Sequence, residues 1–382
     1  MHHGSMHSYE QPMPQYAELQ SAPPPPAKPE PTQVISELLG LLMEEDPVIV
    51  KEAILLTYLL IKEGGESRSE VIRSRELINT LLQTFGRHAS DEKITQALSQ
   101  FFYTLSQQQE GLRAIYDCGG IPHLLQHVYL GNPSVNYNIS TLHNSLIVLQ
   151  EQAANEIDKY EGIPKIIELL DQSNDKLHTL LVDSLLKLSI YNKKAKVFIQ
   201  NNEVCVQRLL NIFETSSYDK LLLIISKLLP TISSGSEVMK KVMIQFNALN
   251  ILEKILKTTK SIRIKHNCLT TLRNLSNQAT RMRELDSLIQ YLTGLLLSPN
   301  DRQSIVCSLG ILNNLTADNR ANKSLFVQLN AVQTLMQKLV VETDENDDFI
   351  EIAVGFCVFS SKIDFNSCCF SVVYTSTCDS SA

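Results

Sequence analysis

The chain contains no tryptophan and only 14 glycines in 382 residues. So few glycines disfavour a sheet protein whose strands are joined by tight glycine turns. The eight cysteines form no CxxC pair and no metal-binding spacing with histidine, which disfavours a zinc site and a disulfide scaffold. No apolar run reaches membrane-spanning length, and the N-terminus MHHGSMHSYEQ lacks a signal-peptide core. We therefore expect an all-α protein of the cytoplasm and nucleus, with no membrane insertion.

Catalytic motifs are also missing from the sequence. We find no glycine-rich phosphate loop, no paired catalytic carboxylates and no nucleophile elbow. The chain is accordingly not expected to be an enzyme, and no metal or other cofactor is expected. What it does have is 43% hydrophobic and 20% charged residues, the composition of a folded protein rather than a disordered one.

A short helical phrase recurs along the chain. It is clearest as LRNLS around Asn274 and LNNLT around Asn314. Looser versions centre on Leu59, Thr104, Asn144, Lys187 and Thr231. Successive centres are 40 to 45 residues apart. A period of this length indicates an array of repeated helical units.

A second motif recurs out of phase with the first. A small or proline-bearing turn opens an amphipathic helix in GGIPHLLQHV from Gly119, EGIPKIIELL from Glu161, FNALNILEKIL from Phe246 and LNAVQTLMQKL from Leu329. Units of two or three helices with this period are typical of armadillo or HEAT solenoids, in which stacking creates one continuous core. A non-repetitive helical bundle is the alternative, and seven evenly spaced centres disfavour it.

The fold class predicted is all-α, a right-handed armadillo-repeat superhelix of about six repeats plus an incomplete seventh. We divide the chain into a disordered proline-rich arm (1–31), armadillo repeats 1–6 (32–341), an acidic loop with incomplete repeat 7 (342–361) and an irregular tail (362–382).

The last helix of each unit should line the concave face of such an array. An asparagine there offers both a donor and an acceptor to the backbone of an extended ligand. Residues 180 to 330 contain 20 Lys+Arg against 10 Asp+Glu, a balance of +10, whereas the rest of the chain sums to −17. A basic groove predicts an acidic or phosphorylated partner. Nucleic acid is disfavoured by the pI of about 5.8, and a basic localisation signal by the lack of tryptophan.

Five segments resemble the β-catenin family of armadillo proteins in order and spacing. They are QEGLRAIYDCGGIPHLL, TLHNSL, KLLLIISKLL, HNCLTTLRNLSNQAT and GILNNLTADNRANK, within a resemblance that covers about residues 32 to 355. It implies a scaffold whose groove binds the cadherin cytoplasmic tail, TCF-type transcription factors, Axin and APC. It also implies roles in Wnt signalling and cell adhesion, with adherens junctions as a further location.

The resemblance assigns the main ligand anchors to Lys196 and Lys323. The supporting groove positions that it implies are His143, Asn144, Lys220, Lys227, Arg273, Asn274 and Asn314.

Some positions depart from the family pattern. Lys227 replaces an arginine, which keeps the charge but loses the bidentate fork. Leu223 and Thr270 stand where the family has tryptophans, and Pro230 stands where it has a lysine. Phosphopeptide binding of the APC type should suffer most from these changes. Asp318 replaces an asparagine, and its negative charge should partly neutralise the nearby anchor Lys323.

Modules outside the repeats are expected to be missing. Residues 1–31 contain no DSGxxS-type phosphodegron, and the helix that recruits α-catenin has no counterpart, so α-catenin is not expected as a partner. Later repeats and an acidic transactivating tail are likewise expected to be missing. One alternative function is therefore a truncated competitor that sequesters the same ligands. Another, of a different class, is a nuclear transport receptor or nucleic-acid binder.

Overall fold

The computed structural model describes residues 31–329 except 173, 283, 297–300 and 318. Over these ranges the secondary structure consists of α-helices and one short 3-10 turn, without strands. The sequence-based predictions for the proline-rich arm, the acidic loop with repeat 7 and the tail fall largely or wholly outside the described residues, and so does the one for Asp318.

Five consecutive units contain three helices each. The first two units are α3 Gly65–Arg73, α4 Arg75–Arg87 and α5 Glu92–Leu105, then α6 Gln109–Asp117, α7 Gly120–Gln126 and α8 Val135–Val148. The third unit is α9 Glu151–Lys159, α10 Gly162–Glu168 with the 3-10 turn Leu169–Asp171, and α11 Asp175–Tyr191. The last two units are α12 Lys193–Gln200, α13 Glu203–Thr215 and α14 Asp219–Ser233, then α15 Glu237–Gln245, α16 Ala248–Thr258 and α17 Ile262–Ala279. The helices α1 Pro31–Leu42 and α2 Pro47–Glu63 precede them, and α18 Asp286–Leu296, α19 Arg302–Thr316 and α20 Arg320–Gln328 follow.

One helix of each unit stacks on its equivalent in the next unit. These ladder helices are α2, α5, α8, α11, α14, α17 and α19, and each packs along its successor. Every one of the seven predicted phrase centres lies in a ladder helix. The predicted all-α armadillo solenoid is therefore confirmed, and the phrase marks the helix that forms the repeat-to-repeat contact.

The core runs through the whole array without a break. Buried apolar side chains from Ile35 to Phe326 form one connected cluster. In α11, for example, Leu181, Leu185 and Leu188 are fully buried. Because each unit covers the apolar surface of its neighbour, stability depends on stacking rather than on separate small cores.

Polar caps fix where the first helix of a unit begins. Asn192, Ser236 and Asn319 precede α12, α15 and α20, and each side chain accepts a hydrogen bond from the backbone N–H three residues later. This is the N-cap geometry that satisfies an otherwise unpaired helix donor.

The turn before the second helix has a left-handed backbone in three units. Gly119 (φ 70°), Glu161 (φ 55°) and Asn247 (φ 61°) occupy it ahead of α7, α10 and α16. Only the glycine adopts this conformation without steric cost. The fourth sequence instance, from Leu329, continues outside the described residues.

Candidate functional site

The outward side chains of the ladder helices form one surface, which we call the ladder face. It includes most of the predicted groove residues: His143 and Asn144 on α8, Lys220 and Lys227 on α14, Arg273 and Asn274 on α17, and Asn314 on α19. The two predicted anchors lie elsewhere, Lys196 on α12 and Lys323 on α20. The ladder face therefore brings together seven of the nine predicted positions.

Cations dominate the ladder face at α14 and α17. Lys220, Lys227 and Arg273 are exposed, and α14 packs directly along α17. Among the described residues, no carboxylate lies within ion-pair distance of any of the three. Three uncompensated positive charges on adjacent helices create a local field that attracts an anionic ligand.

Arg273 extends across to the next ladder helix. A methyl group at Gly310 of α19 would lie 3.2 Å from Arg273 Nε, so the missing side chain leaves room for the guanidinium. Arg273 also lies beside the Cys307 thiol, whose pKa is raised by burial although the arginine charge opposes the rise. The Arg273 guanidinium thus lies against α19, although the residue as a whole is exposed.

The ladder asparagines link successive units. The Nδ2 of Asn144 donates to Ser106 Oγ (3.0 Å), that of Asn274 to Ser233 Oγ (3.0 Å), and that of Asn314 to Ser276 Oγ (2.8 Å). Each of these serines in turn donates to the carbonyl three residues earlier in its own helix. In the phrase LRNLS, Asn274 therefore donates to a serine of the preceding unit, and Ser276 accepts a hydrogen bond from an asparagine of the following unit.

This linkage changes what the asparagines can offer a ligand. Asn274 Nδ2 also donates to Pro230 O at 3.2 Å, so both of its amide hydrogens are used within the scaffold. Only Oδ1 is left to accept a ligand N–H. The prediction that the asparagines clamp a ligand backbone took no account of this internal use, because it appears only when the units are stacked.

His143 is held by a carboxylate of the next unit. Its Nε2 lies 2.6 Å from Asp183 Oδ2 on α11, and Lys187 Nζ lies 3.2 Å from the same oxygen. Although burial opposes the shift, the hydrogen bond from His143 and the charge of Lys187 hold the Asp183 pKa below its ordinary value. Asp183, which was not among the predicted residues, therefore pairs with both side chains and makes His143 and Lys187 less available to an acidic ligand.

The Asp183 contact predicts a pH-dependent contribution to stability. A carboxylate whose folded-state pKa is depressed stabilises the fold above its unfolded value of about 3.8, and this contribution is lost as the pH falls through the folded pKa. We expect Asp183→Asn to lower the urea midpoint of unfolding at pH 6, with a difference from the wild type that shrinks at pH 3 and below. Asp219→Asn, at an exposed carboxylate on α14, should show little change at either pH. If the urea midpoints of the wild type and Asp183→Asn differ by the same amount at pH 6 and at pH 3, the Asp183 carboxylate does not stabilise the fold in this way.

The two predicted anchors occupy equivalent places. Lys196 follows its cap Asn192 by four residues, and Lys323 follows its cap Asn319 by four residues. A third lysine, Lys240, stands four residues after the cap Ser236 in α15. Sequence reasoning missed Lys240, although the spacing from a polar cap would have found it. Its Nζ lies 2.6 Å from Glu237 Oε1, so its charge is partly compensated.

The described part of the chain offers neither a metal site nor a membrane-spanning helix. No group of three or more His, Cys, Asp or Glu side chains there has a metal-binding arrangement. Within the same residues, no helix combines the length and the apolar character needed to cross a membrane.

Comparison with known proteins agrees with this architecture. The armadillo/beta-catenin-like repeat model matches residues 236–277, which contain α15, α16 and all but the last two residues of α17. Over 324 residues, 85% of this chain, the sequence is 34% identical to junction plakoglobin of Xenopus laevis, 31% to catenin beta of Urechis caupo and 32% to armadillo segment polarity protein of Drosophila melanogaster. The chain spans about two fifths of the length of these relatives, 43%, 38% and 38% respectively.

Solved structures show the same fold. One comes from work on a conserved phosphorylation switch that controls the interaction between cadherin and β-catenin; it matches with a TM-score of 0.71 at 24% identity and covers 84% of this chain and 60% of that one. A designed armadillo repeat protein in complex with the peptide (KR)4 matches with a TM-score of 0.51 at 14% identity, over 63% of this chain and 99% of that one. At these identities the likeness establishes the fold and leaves the ligand open.

Proposed function

Because the chain belongs to the β-catenin family of armadillo-repeat proteins, we propose that it is a binding scaffold whose ladder face holds extended acidic peptides. The observation that carries the proposal is the exposed, uncompensated group of Lys220, Lys227 and Arg273 on two adjacent ladder helices. Lys196 and Lys323, at equivalent places on first helices, are proposed as the outer anchors of the same ligand.

The cadherin cytoplasmic tail is the first partner we propose. Support comes from the structural likeness to a β-catenin studied for its interaction with cadherin, and from the relatives named as junction plakoglobin and catenin beta. TCF-type factors, Axin and APC are proposed as further acidic ligands of the same surface. Roles in cell adhesion and Wnt signalling, and a location in the cytoplasm, the nucleus and at adherens junctions, belong to the same proposal.

Nucleic acid fits the ladder face less well. Binding of single strands combines basic groups with nearby aromatic rings on which bases stack. In this chain the Tyr103 and Tyr137 rings, 5.5 Å apart, lie on α5 and α8, whereas the uncompensated cations lie on α14 and α17. This pair of rings is therefore separated from the cations by the unit that contains α11, and the exposed aromatic residue next to the cations in sequence is the single Tyr218.

Calorimetric titration with a synthetic cadherin-tail peptide tests the proposal. We expect binding that weakens as the salt concentration rises, because the interaction joins exposed charges. A peptide of the same length with every Asp and Glu replaced by Asn and Gln is the control and should bind far more weakly. Equal binding of the two peptides, or no binding of the acidic one at about 0.15 M salt, would contradict the proposal. Titration with single-stranded DNA in the same buffer tests the alternative.

A further inference from the structure

The helix α12 exposes an unusual combination of side chains on its outward face. Val197 is 54% exposed and Phe198 is 42% exposed. One turn before them on the same helix stand Lys193 and Lys194, which are also exposed. Large apolar side chains left in contact with water are unfavourable, so a partner that covers them gains free energy.

These side chains line a shallow cleft. Its walls are formed by Lys193, Lys194, Val197, Phe198, Asn201 and Asn202. Residues four apart on a helix are neighbours on its surface, so Lys193 adjoins Val197 and Lys194 adjoins Phe198. The cleft therefore has a positively charged end, an apolar middle and an amide-bearing end.

The opposite side of α12 holds the helix firmly on the scaffold. Ala195 and Ile199 are fully buried. Asn192 Nδ2, at the cap, donates to Asn155 Oδ1 at 2.9 Å, and Gln200 Nε2 donates to the carbonyl of Ile232 at 2.8 Å. The outward face is thus already fixed in place before any ligand arrives, which lowers the ordering cost of binding.

The charges around the cleft favour a negatively charged partner of limited size. In the part of the chain that the structure describes, neither Lys193 nor Lys194 forms an ion pair. Two carboxylates stand near α12: Asp158 on α9, whose Oδ2 lies 3.4 Å from Asn192 Nδ2 at the cap, and the exposed Glu203 at the start of α13. They would repel a broad anionic surface such as a lipid bilayer, but a narrow ligand placed over α12 alone avoids them.

We propose that the outward face of α12 is a docking site for an acidic amphipathic helix of a partner protein. This face consists of the exposed side chains of α12 and excludes the half-buried Lys196, which is the outer anchor proposed for the ladder-face ligand. An amphipathic helix carries carboxylates one turn from its apolar anchors, and this spacing matches that of the lysines and apolar residues on α12. The apolar anchor of the partner covers Val197 and Phe198. Its carboxylates face Lys193 and Lys194.

A designed probe tests this site on the full chain. The probe is a fluorescein-labelled, helix-stabilised peptide with leucines on one face and glutamates one turn from them, and binding is followed by fluorescence anisotropy. We expect Phe198→Ala to weaken binding by about tenfold or more, as for a central apolar contact. Lys194→Glu should weaken binding and reduce its salt dependence. Both positions are exposed, so circular dichroism should show an intact fold.

Two control variants separate this site from the ladder face. Val238→Ala changes an equally exposed valine on α15 (59% exposed), and Arg273→Glu reverses a ladder-face charge. Both should leave the affinity for the probe within about twofold, a difference below 0.5 kcal/mol. If Arg273→Glu weakens binding and Phe198→Ala does not, the probe occupies the ladder face and the proposal is overturned.

A vesicle sedimentation assay tests whether the outward face of α12 binds a membrane surface instead of a helix. Vesicles of phosphatidylcholine with phosphatidylserine are sedimented with the full chain and with Phe198→Ala. We expect neither protein to sediment. Sedimentation of the wild type that Phe198→Ala abolishes would assign this face to a membrane surface and overturn the proposal of a helical partner.

Discussion

Replacing Lys227 and Arg273 together by glutamate is expected to weaken acidic-peptide binding by about 30- to 150-fold, equivalent to about 2 to 3 kcal/mol. Each exposed charge contributes up to about 1 kcal/mol of attraction, and reversal adds a repulsion of similar size. Both side chains are exposed on adjacent ladder helices, so the two losses apply to neighbouring parts of one ligand. Calorimetric titration of the double variant with the cadherin-tail peptide measures the change.

The two residues should not contribute equally. Arg273 lies across Gly310 of the next ladder helix, so its planar guanidinium is already positioned, whereas Lys227 is a flexible chain that must be ordered on binding. We therefore expect the single variant Arg273→Glu to lose more affinity than Lys227→Glu. Arg273→Lys keeps the positive charge but loses the planar, two-pronged guanidinium. Its affinity for the peptide should lie between that of Arg273→Glu and that of the wild type.

A matched double variant separates local contact from overall charge. Arg113→Glu with Lys241→Glu makes the same change in net charge at exposed residues of α6 and α15, which are not ladder helices. Affinity should fall by less than about threefold, or about 0.6 kcal/mol. An equal loss in both double variants would mean that the peptide responds to the net charge of the protein and has no defined position on the ladder face.

The repeat architecture was visible in the sequence because it depends on periodic apolar positions. A phrase that returns every 40 to 45 residues marks the ladder helix of each unit, and the structure places all seven centres there. The positions of Lys227 and Arg273, in contrast, came from the resemblance to the β-catenin family, and the structure places both on ladder helices.

Side-chain contacts between neighbouring units could not be predicted from the sequence. Asp183 meets His143 only because α11 stacks on α8, 40 residues further along the chain. The same stacking places Ser233 beside Asn274. A single sequence shows which side chain is polar and which face it occupies, but the identity of the partner depends on the offset between neighbouring helices. Lys240 is a different case, because its spacing from Ser236 can be read from the sequence alone.

Replacing Gly162 by alanine is expected to destabilise the fold by about 2 to 3 kcal/mol, as overpacking does in a filled core. Gly162 is the first residue of α10, directly after the left-handed Glu161. A methyl group there would lie 2.6 Å from Ile157 Cγ2, 2.9 Å from Leu125 Cδ2 and 3.0 Å from the carbonyl oxygen of Ile157. Backbone and buried side chains approach from two sides, so the added carbon has no space without moving α10 away from α9.

Gly294→Ala is the matched control and should change stability in the opposite direction. Gly294 lies inside α18, is exposed, and has no atom within 4 Å of the place that a methyl group would take. Alanine there raises helix propensity by about 1 kcal/mol at no steric cost. The urea midpoint should therefore rise for Gly294→Ala and fall for Gly162→Ala, and a midpoint for Gly162→Ala at or above the wild type would show that α10 can shift freely.

The equivalent glycine of the preceding unit provides an independent check that α7 and α10 must each begin with a residue that has no side chain. Gly120 opens α7 after the left-handed Gly119, and a methyl group on it would lie 2.4 Å from Ile115 Cγ2 and 2.8 Å from the Ile115 carbonyl oxygen. Gly120→Ala should thus lower the urea midpoint at least as much as Gly162→Ala. Because neighbouring units share one continuous core, each substitution should weaken the stacking on both sides of its own unit.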